Sequence, residues 1–244
     1  MRPKDQTKEL IGRTALALFV EKGIDGTTIR DIAAAAKIAE GTLYRHYSGK
    51  DALAWDLFSH HYTAFALELH RIQTGHATLR AKLDAMVRQF CTFFDDDPVL
   101  FSYLLLAQHG QLQKVTEDMP NPVEVLREVL AGGMDRGEIP AGDPDLAAAL
   151  VMGIVLQVAV FKIYQRLTQS LTSLAEFLVA ACWRVLAGPA PDSSLSMFLA
   201  LPVPNSSHAD RTVVRSGSFM VTFHGCPSVT QLGKVAIPSW ERPR

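Results

Sequence analysis

Apolar residues through the first 188 positions recur every three or four places, the spacing that lines one face of a helix. No stretch there alternates convincingly as a strand would. In "KELIGRTALALFVEKG", Leu10, Ile11, Ala15, Leu18 and Phe19 fall on one helical face. Gly23 stands where a helix ends on a left-handed residue, and "GIDGTT" reads as a turn. Thr28 and Asp31 have the spacing of a reciprocal capping box, which predicts a second helix over "IRDIAAAAK". A short gap then leads to "AEGTLYRHY", room for one brief third helix. Ser48 and Asp51 have box spacing again and predict a fourth helix through "ALAWDLFSHHYTAFALELHR".

Further on, "ATLRAKLDAMVRQFCTFF" is amphipathic and stops near "DDDP", which reads as a cap for the next helix. "PVLFSYLLLAQHG" is short and strongly apolar, and "PVEVLREVLAGGMDRGE" follows the proline break "MPNP". Asp143 and Pro144 form an N-cap and first-turn pair that predicts a long helix to about Leu167, apolar nearly all round. Ser173 and Glu176 predict the start of a last helix ending at Gly188-Pro189. It carries a stripe at Leu174, Phe177, Leu178, Ala181 and Val185. These two helices need more cover than one chain supplies, which predicts a homodimer through a four-helix interface. From residue 189 the chain turns rich in Pro and Ser and loses helical periodicity, so 189–244 is expected to be a mostly disordered tail. The expected fold class is all-α, with a helix-turn-helix domain over 1–50 and a second helical domain over 51–188.

Charge sharpens this division. The chain's net charge is only -1, but residues 1–50 hold nine Lys/Arg against six Asp/Glu, and residues 51–189 hold ten against sixteen. A basic head on an acidic body suggests that the head meets something anionic. The three cysteines have no CxxC spacing, which fits a reducing cytosol. The N-terminus has no apolar signal region, and the most apolar run, Leu146 to Phe161, is shorter than the ~20 residues of a membrane span. A cytoplasmic protein without a membrane partner is the expectation.

Two short helices joined by a tight turn, behind a supporting first helix, make a helix-turn-helix whose second helix enters the DNA major groove. Its N-terminal residues are Ala39, Glu40, Gly41 and Thr42. Gly41 lets the backbone approach closely, and Thr42 reaches a base or a phosphate. Leu43 and Tyr47 turn inward to pack with Phe19, Ile29 and Ile32. Lys50 begins a helix, where the macrodipole disfavours a cation by ~0.3–1 kcal/mol; a phosphate bound there would explain it. Tyr44 and His46 can donate to phosphate oxygens, and the Thr28 helix start offers another anion site. Singly, each is more often a solvated or core residue, but the ordered set points to DNA.

The stretch "TTIRDIAAAAKIAEGTLYRHYSGKDAL" resembles the DNA-binding signature of the TetR family of transcriptional regulators, over about residues 8–55. The resemblance implies an all-helical homodimer that usually represses. Its C-terminal domain would bind a small-molecule effector, and binding would release double-stranded operator DNA. By position, the family's phosphate contacts fall on Thr28, Tyr44 and Lys50, and its base-facing residues on Glu40, Gly41, Thr42 and Arg45. The sequence departs from the pattern in four places. Lys37 replaces the usual turn glycine, which would cost ~1 kcal/mol in a left-handed conformation. Ala39 replaces a capping Ser, losing ~0.5–2 kcal/mol. Tyr47 replaces Phe, and Glu40 is acidic where a neutral or basic residue is common.

An effector pocket would lie within residues 77–165, walled by Phe90, Phe94, Phe101, Leu104, Leu105 and Val155, with Tyr103, Gln108, His109 and Gln157 as polar anchors. That lining suggests a hydrophobic or aromatic ligand. The enzyme class lacks support: there is no Gly-rich phosphate loop, HExxH or GxSxG, and His60, His61, His70 and His76 lack metal spacing. No catalytic residue, metal or cofactor is expected. A helical interaction module that does not bind DNA is the remaining alternative.

Overall fold

The computed structural model describes residues 4–188, except the side chains of Lys4, Asp5, Gln108 and His109. The predicted tail, 189–244, lies outside the described residues. Nine α-helices are described: α1 (Lys4–Lys22), α2 (Ile29–Ala36), α3 (Glu40–Tyr44), α4 (Lys50–Thr74), α5 (Leu79–Asp96), α6 (Pro98–Gln111), α7 (Pro122–Asp135), α8 (Pro144–Ile163) and α9 (Leu171–Ala187). A 3-10 turn, Leu112–Lys114, follows α6. There is no strand among the described residues.

Most predicted boundaries are set by the caps read from the sequence. Gly23 is left-handed at φ 76°, and its N–H returns to the Phe19 carbonyl. Both halves of the Thr28–Asp31 box are present. Asp97 begins α6, its carboxylate accepting from the Leu100 N–H at 3.0 Å, and Asp143 accepts from the Asp145 N–H at 2.8 Å to begin α8.

Three boundaries differ. The Ser48–Asp51 box does not form: α4 starts from Gly49 in extended backbone, with no side-chain cap. The last helix starts earlier than Ser173, because Ser170 caps it, accepting from the Ser173 N–H at 3.2 Å. Asp95 adds remote caps there, accepting from the N–H groups of Leu171 at 3.0 Å and Thr172 at 2.8 Å. Helix α8 stops at Ile163 rather than near Leu167, because Gln165 is left-handed (φ 56°) and the Arg166 N–H closes back on the Phe161 carbonyl.

Two apolar cores result. The head core joins Ile11, Ala15 and Phe19 of α1, Ile32 of α2 and Leu43 of α3 to Leu53, Ala54 and Phe58 of α4, and it takes in Tyr103 of α6. The body core surrounds α5, from Leu79 to Phe94, with residues of α4 and α6 to α9. Helix α4 serves both cores. Cys91 and Cys182 are free, buried thiols of the body core, and burial pushes both up to about 11.

Helix α8 is 20 residues long with mean hydropathy 2.3, so by length and composition it could cross a membrane, contrary to the expectation from its sixteen-residue apolar run. Inside this fold it is a core helix on one side: Ala147, Ala148, Val151, Val155 and Ala159 are buried. Its other side leaves Leu146, Leu150 and Phe161 exposed, and α9 leaves Phe177 69% exposed and Val185 exposed as well.

Candidate functional site: the head and the body cavity

The head is built around a strained turn. Lys37, at φ 54° and ψ 48°, is the left-handed residue between α2 and α3, as its position in the motif required. Its N–H and that of Ile38 return to the carbonyls of Ala34 and Ala33 at 3.1 and 3.0 Å. These bonds hold a conformation that costs a lysine ~1–2 kcal/mol. Ala39 follows as an N-cap with no side-chain bond. The turn therefore delivers α3 at a fixed angle without the usual hydroxyl cap.

One face of α3 is spent on packing. Leu43 is fully buried, and Tyr47 just beyond the helix is buried too. The Tyr47 hydroxyl donates to Asp56 at 3.1 Å. Burial foremost, then the adjacent Asp56 charge, push that phenol well above its ordinary value. The opposite face carries Gly41, Tyr44 and Arg45 in the open, with Glu40, Thr42 and His46 half-buried beside them. A Cβ on Gly41 would meet nothing within 4 Å, so the fold does not require glycine there.

The polar groups of this face are already oriented. Arg45 Nη2 donates to Thr42 Oγ1 at 3.0 Å. Glu40 accepts from Arg30 Nε of α2 at 3.1 Å, a partner that the sequence reading missed. The two are ten residues apart on different helices, and no periodicity pairs them. At the start of α2, Thr28 Oγ1 accepts from the Asp31 N–H at 3.1 Å and donates to Asp31 Oδ2 at 2.7 Å. The Thr28 hydroxyl first, and second the Thr28 N–H, which donates to Asp31 Oδ2 at 2.9 Å, hold the Asp31 carboxyl below its ordinary value. Lys50 has partners within the chain: its Nζ donates to the carbonyls of Ile24 at 2.8 Å and Asp25 at 3.2 Å. The cation at the start of α4 thus ties that helix to the α1–α2 turn, and it needs no phosphate to explain it.

The body holds a cavity of about 150 Å³ between α4, α5, α6, α7 and α8. Of the expected walls, Phe90, Phe101, Leu104, Leu105 and Val155 line it, joined by Tyr62, Phe65, Leu69, Met86 and Leu126 among others. Phe101 stands edge-on to Phe90 and Phe65, with ring centroids 5.0 and 5.6 Å apart. Phe94 does not line the cavity; it backs Phe101 from behind, at 5.9 Å. Tyr103 is turned away into the head core, where its hydroxyl donates to the Ala54 carbonyl at 2.7 Å and its ring stacks on Phe19 at 5.8 Å. Gln157 is exposed on α8 and outside the lining. The side chains of Gln108 and His109 lie outside the described residues. Among the described residues the polar side chain that lines the cavity is Tyr62, which stands on α4, ahead of the 77–165 segment expected to hold the pocket. Among the described residues no group of His, Cys, Asp or Glu is placed to hold a metal.

A tri-helical head that presents one short helix outward, on an all-helical body with an apolar cavity, is the architecture of a helix-turn-helix regulator. Residues 11–57 match the bacterial regulatory proteins of the tetR family. A 175-residue stretch is 29% identical to the HTH-type transcriptional repressor Rv3405c of Mycobacterium tuberculosis, covering 71% of this chain and 81% of that protein. MftR of the same species, a transcriptional regulator named for mycofactocin biosynthesis, is 34% identical over 98 residues, 40% of this chain and about half (49%) of that protein. The fold matches the regulator FadR of Bacillus subtilis, crystallised with stearoyl-CoA, at TM-score 0.64 and 21% identity over 71% of this chain and 96% of that one. Residues 11–57 thus carry the DNA-binding segment of the tetR-family regulators, and the relatives that match beyond it are named transcriptional regulators.

Proposed function

We propose that the protein is a homodimeric repressor whose α3 reads operator DNA and whose grip is released by an apolar effector in the body cavity. One observation carries the ligand link: α6 faces both ways. Phe101, Leu104 and Leu105 wall the cavity. Tyr103, on the same helix, is fixed in the head core by its bond to Ala54 and its stack on Phe19. Arg13 of α1 pairs with Asp97 at the start of α6, a second tie between head and body. A ligand that moves Phe101 therefore moves Tyr103, and with it α1 and the start of α4.

On DNA, Gly41 and Thr42 lie where base edges are within reach, and Tyr44, Arg45 and Arg30 line the same exposed surface. Thr28 and Lys50 sit at helix starts on either side, suited to phosphates. The dimer reading rests on the uncovered apolar residues of α8 and α9. Pairing them with a second copy would bury Leu146, Leu150, Phe161, Phe177 and Val185 and set two heads side by side. Rv3405c is named a repressor, and FadR, of similar fold, was crystallised with stearoyl-CoA; both support the reading of a repressor with an apolar effector.

The test is fluorescence anisotropy of DNA from upstream of the protein's own gene, titrated with protein alone and with a saturating cavity ligand. Affinity should fall 5–150-fold, the usual range of such coupling. A ligand that occupies the cavity yet leaves DNA affinity unchanged would refute the proposed link.

A further inference from the structure

Of the described side chains lining the body cavity, Tyr62 alone carries a polar group other than a thioether. Its hydroxyl donates to Asn121 Oδ1 at 2.8 Å. Asn121 is the N-cap of α7, and the same oxygen accepts the Val123 N–H at 2.9 Å. Pro122 and Val123 also line the cavity, so this bond sits in its α4–α7 wall. If the Tyr62 hydroxyl turns away, Asn121 Oδ1 keeps its other donor. The hydroxyl proton is therefore transferable to a guest at little cost to the fold. Burial raises this phenol to about 12, so it remains a neutral donor across the working pH range.

Size and charge restrict the guest further. An apolar cavity of roughly 150 Å³ lined by Leu, Ile and Phe stays dry and takes a benzene-sized molecule. This cavity has that volume, and among the described residues no charged side chain lines it. An ionised group inside would find no counter-ion among the described lining residues and would bear a desolvation penalty of several kcal/mol. A carbonyl or ether oxygen would lose its water but gain the Tyr62 proton.

We infer that the cavity selects a compact, uncharged molecule, an apolar body of benzene-like size with one hydrogen-bond acceptor, and that Tyr62 is the residue that reads the acceptor. This rests on the reading of the cavity as the effector site. In the bound state the Tyr62 O–H turns from Asn121 to the ligand oxygen, and the direct α4–α7 cross-link opens. A hydrocarbon of the same shape binds without disturbing that link. The structure thus distinguishes occupants that open the link from those that merely fill space.

Acetophenone and α-methylstyrene have the same outline and differ by C=O against C=CH₂; benzoate adds a charge at similar size. Each is titrated by calorimetry into the full chain and into Tyr62→Phe, with helix content checked by circular dichroism. Tyr62→Phe should weaken acetophenone about five- to tenfold, the equivalent of one neutral hydrogen bond. α-Methylstyrene should stay within about twofold of the parent. Benzoate should bind the parent at least about tenfold more weakly than acetophenone. Asn121→Asp keeps the cap but holds the hydroxyl with a carboxylate, and it should weaken acetophenone alone; it carries the test if Tyr62→Phe fails to fold. Equal losses for ketone and hydrocarbon, or benzoate binding as well as acetophenone, overturn the inference and leave the cavity reading standing. If α-methylstyrene itself does not bind the parent protein, the cavity reading falls and this inference with it.

Discussion

Replacing Lys50 with Met separates two roles that one side chain can fill. Met keeps most of the stem and deletes the ammonium. The Ile24 and Asp25 carbonyls then lose donors at 2.8 and 3.2 Å. Hydrogen bonds to a charged group contribute ~1.5–3 kcal/mol. Lys50 is only half-buried, so water replaces part of the loss and about 1–2 kcal/mol remains. For a chain of this size each kcal/mol lowers Tm by about 2–4 °C, so the DNA-free protein should melt about 2–8 °C lower. If Lys50 also meets a phosphate, the slope of log affinity against log salt should fall by about 0.9 per head, for specific and random DNA alike. Differential scanning calorimetry reads the first effect, and anisotropy titrations at several salt concentrations read the second. A Tm within 1 °C of the parent would refute the clamp read from the structure. An unchanged salt slope with a lowered Tm would mean that Lys50 serves the fold and not the DNA.

Four further outcomes follow from the same geometry. Thr42→Ala should leave the salt slope nearly unchanged but relax discrimination at one base pair per half-site by ~1–3 kcal/mol, read by competition with single-base operator variants. Tyr103→Phe deletes the buried bond to Ala54, so thermal stability should drop by ~0.5–1.5 kcal/mol, and the effect of a cavity ligand on DNA affinity should shrink more than ligand affinity does. Phe177→Glu changes a side chain exposed in the single chain, so light scattering should report a monomer that keeps its helical circular dichroism; a persistent dimer would remove α9 from the interface. Asp95 is partly buried, which by itself raises its pKa. The N–H and hydroxyl of Thr172 and the N–H of Leu171 outweigh that and lower it. Its contribution is therefore present above the unfolded value near 4 and lost as pH falls through the lower folded value. Urea melts from pH 6 to pH 3 should show this loss in the parent and its absence in Asp95→Asn.

What the sequence discloses is what is local. The Thr28–Asp31 box, Gly23 and the Asp143–Pro144 pair act within a few residues, and their spacing alone places helix ends. The Lys37 and Ala39 departures were legible for the same reason, because a turn's geometry dictates which residue is left-handed. Ser170 and Ser173 show where that reading fails: both are serines at a helix start, and Asp95, some 76 positions away, favours the earlier one. The same limit governed the cavity. That apolar residues between 77 and 165 would enclose one follows from their abundance. Which polar residue faces inward depends on how α6 is rotated against α1 and α4. Periodicity fixes an apolar face but not a tyrosine's direction, so Tyr103 was expected in the cavity and Tyr62 was not. Arg30 and Glu40, brought together only by the turn between their helices, were invisible for that reason too.

Helix α4 runs unbroken for 25 residues, from Lys50 in the head to Thr74 beyond the cavity. At 1.5 Å per residue, the span from the cavity wall at Leu69 to Lys50 is about 28 Å. A tilt of about 5° about the cavity end sweeps the head through roughly 2.5 Å, and in the proposed dimer the two heads separate by about twice that. Successive bases lie about 3.4 Å apart along a strand, so the pair would fall roughly one and a half steps out of phase with its half-sites. A displacement at the cavity no larger than a rotated phenyl ring would then be enough to disengage the protein from DNA. Neither α3 nor any residue on its surface would have to change shape.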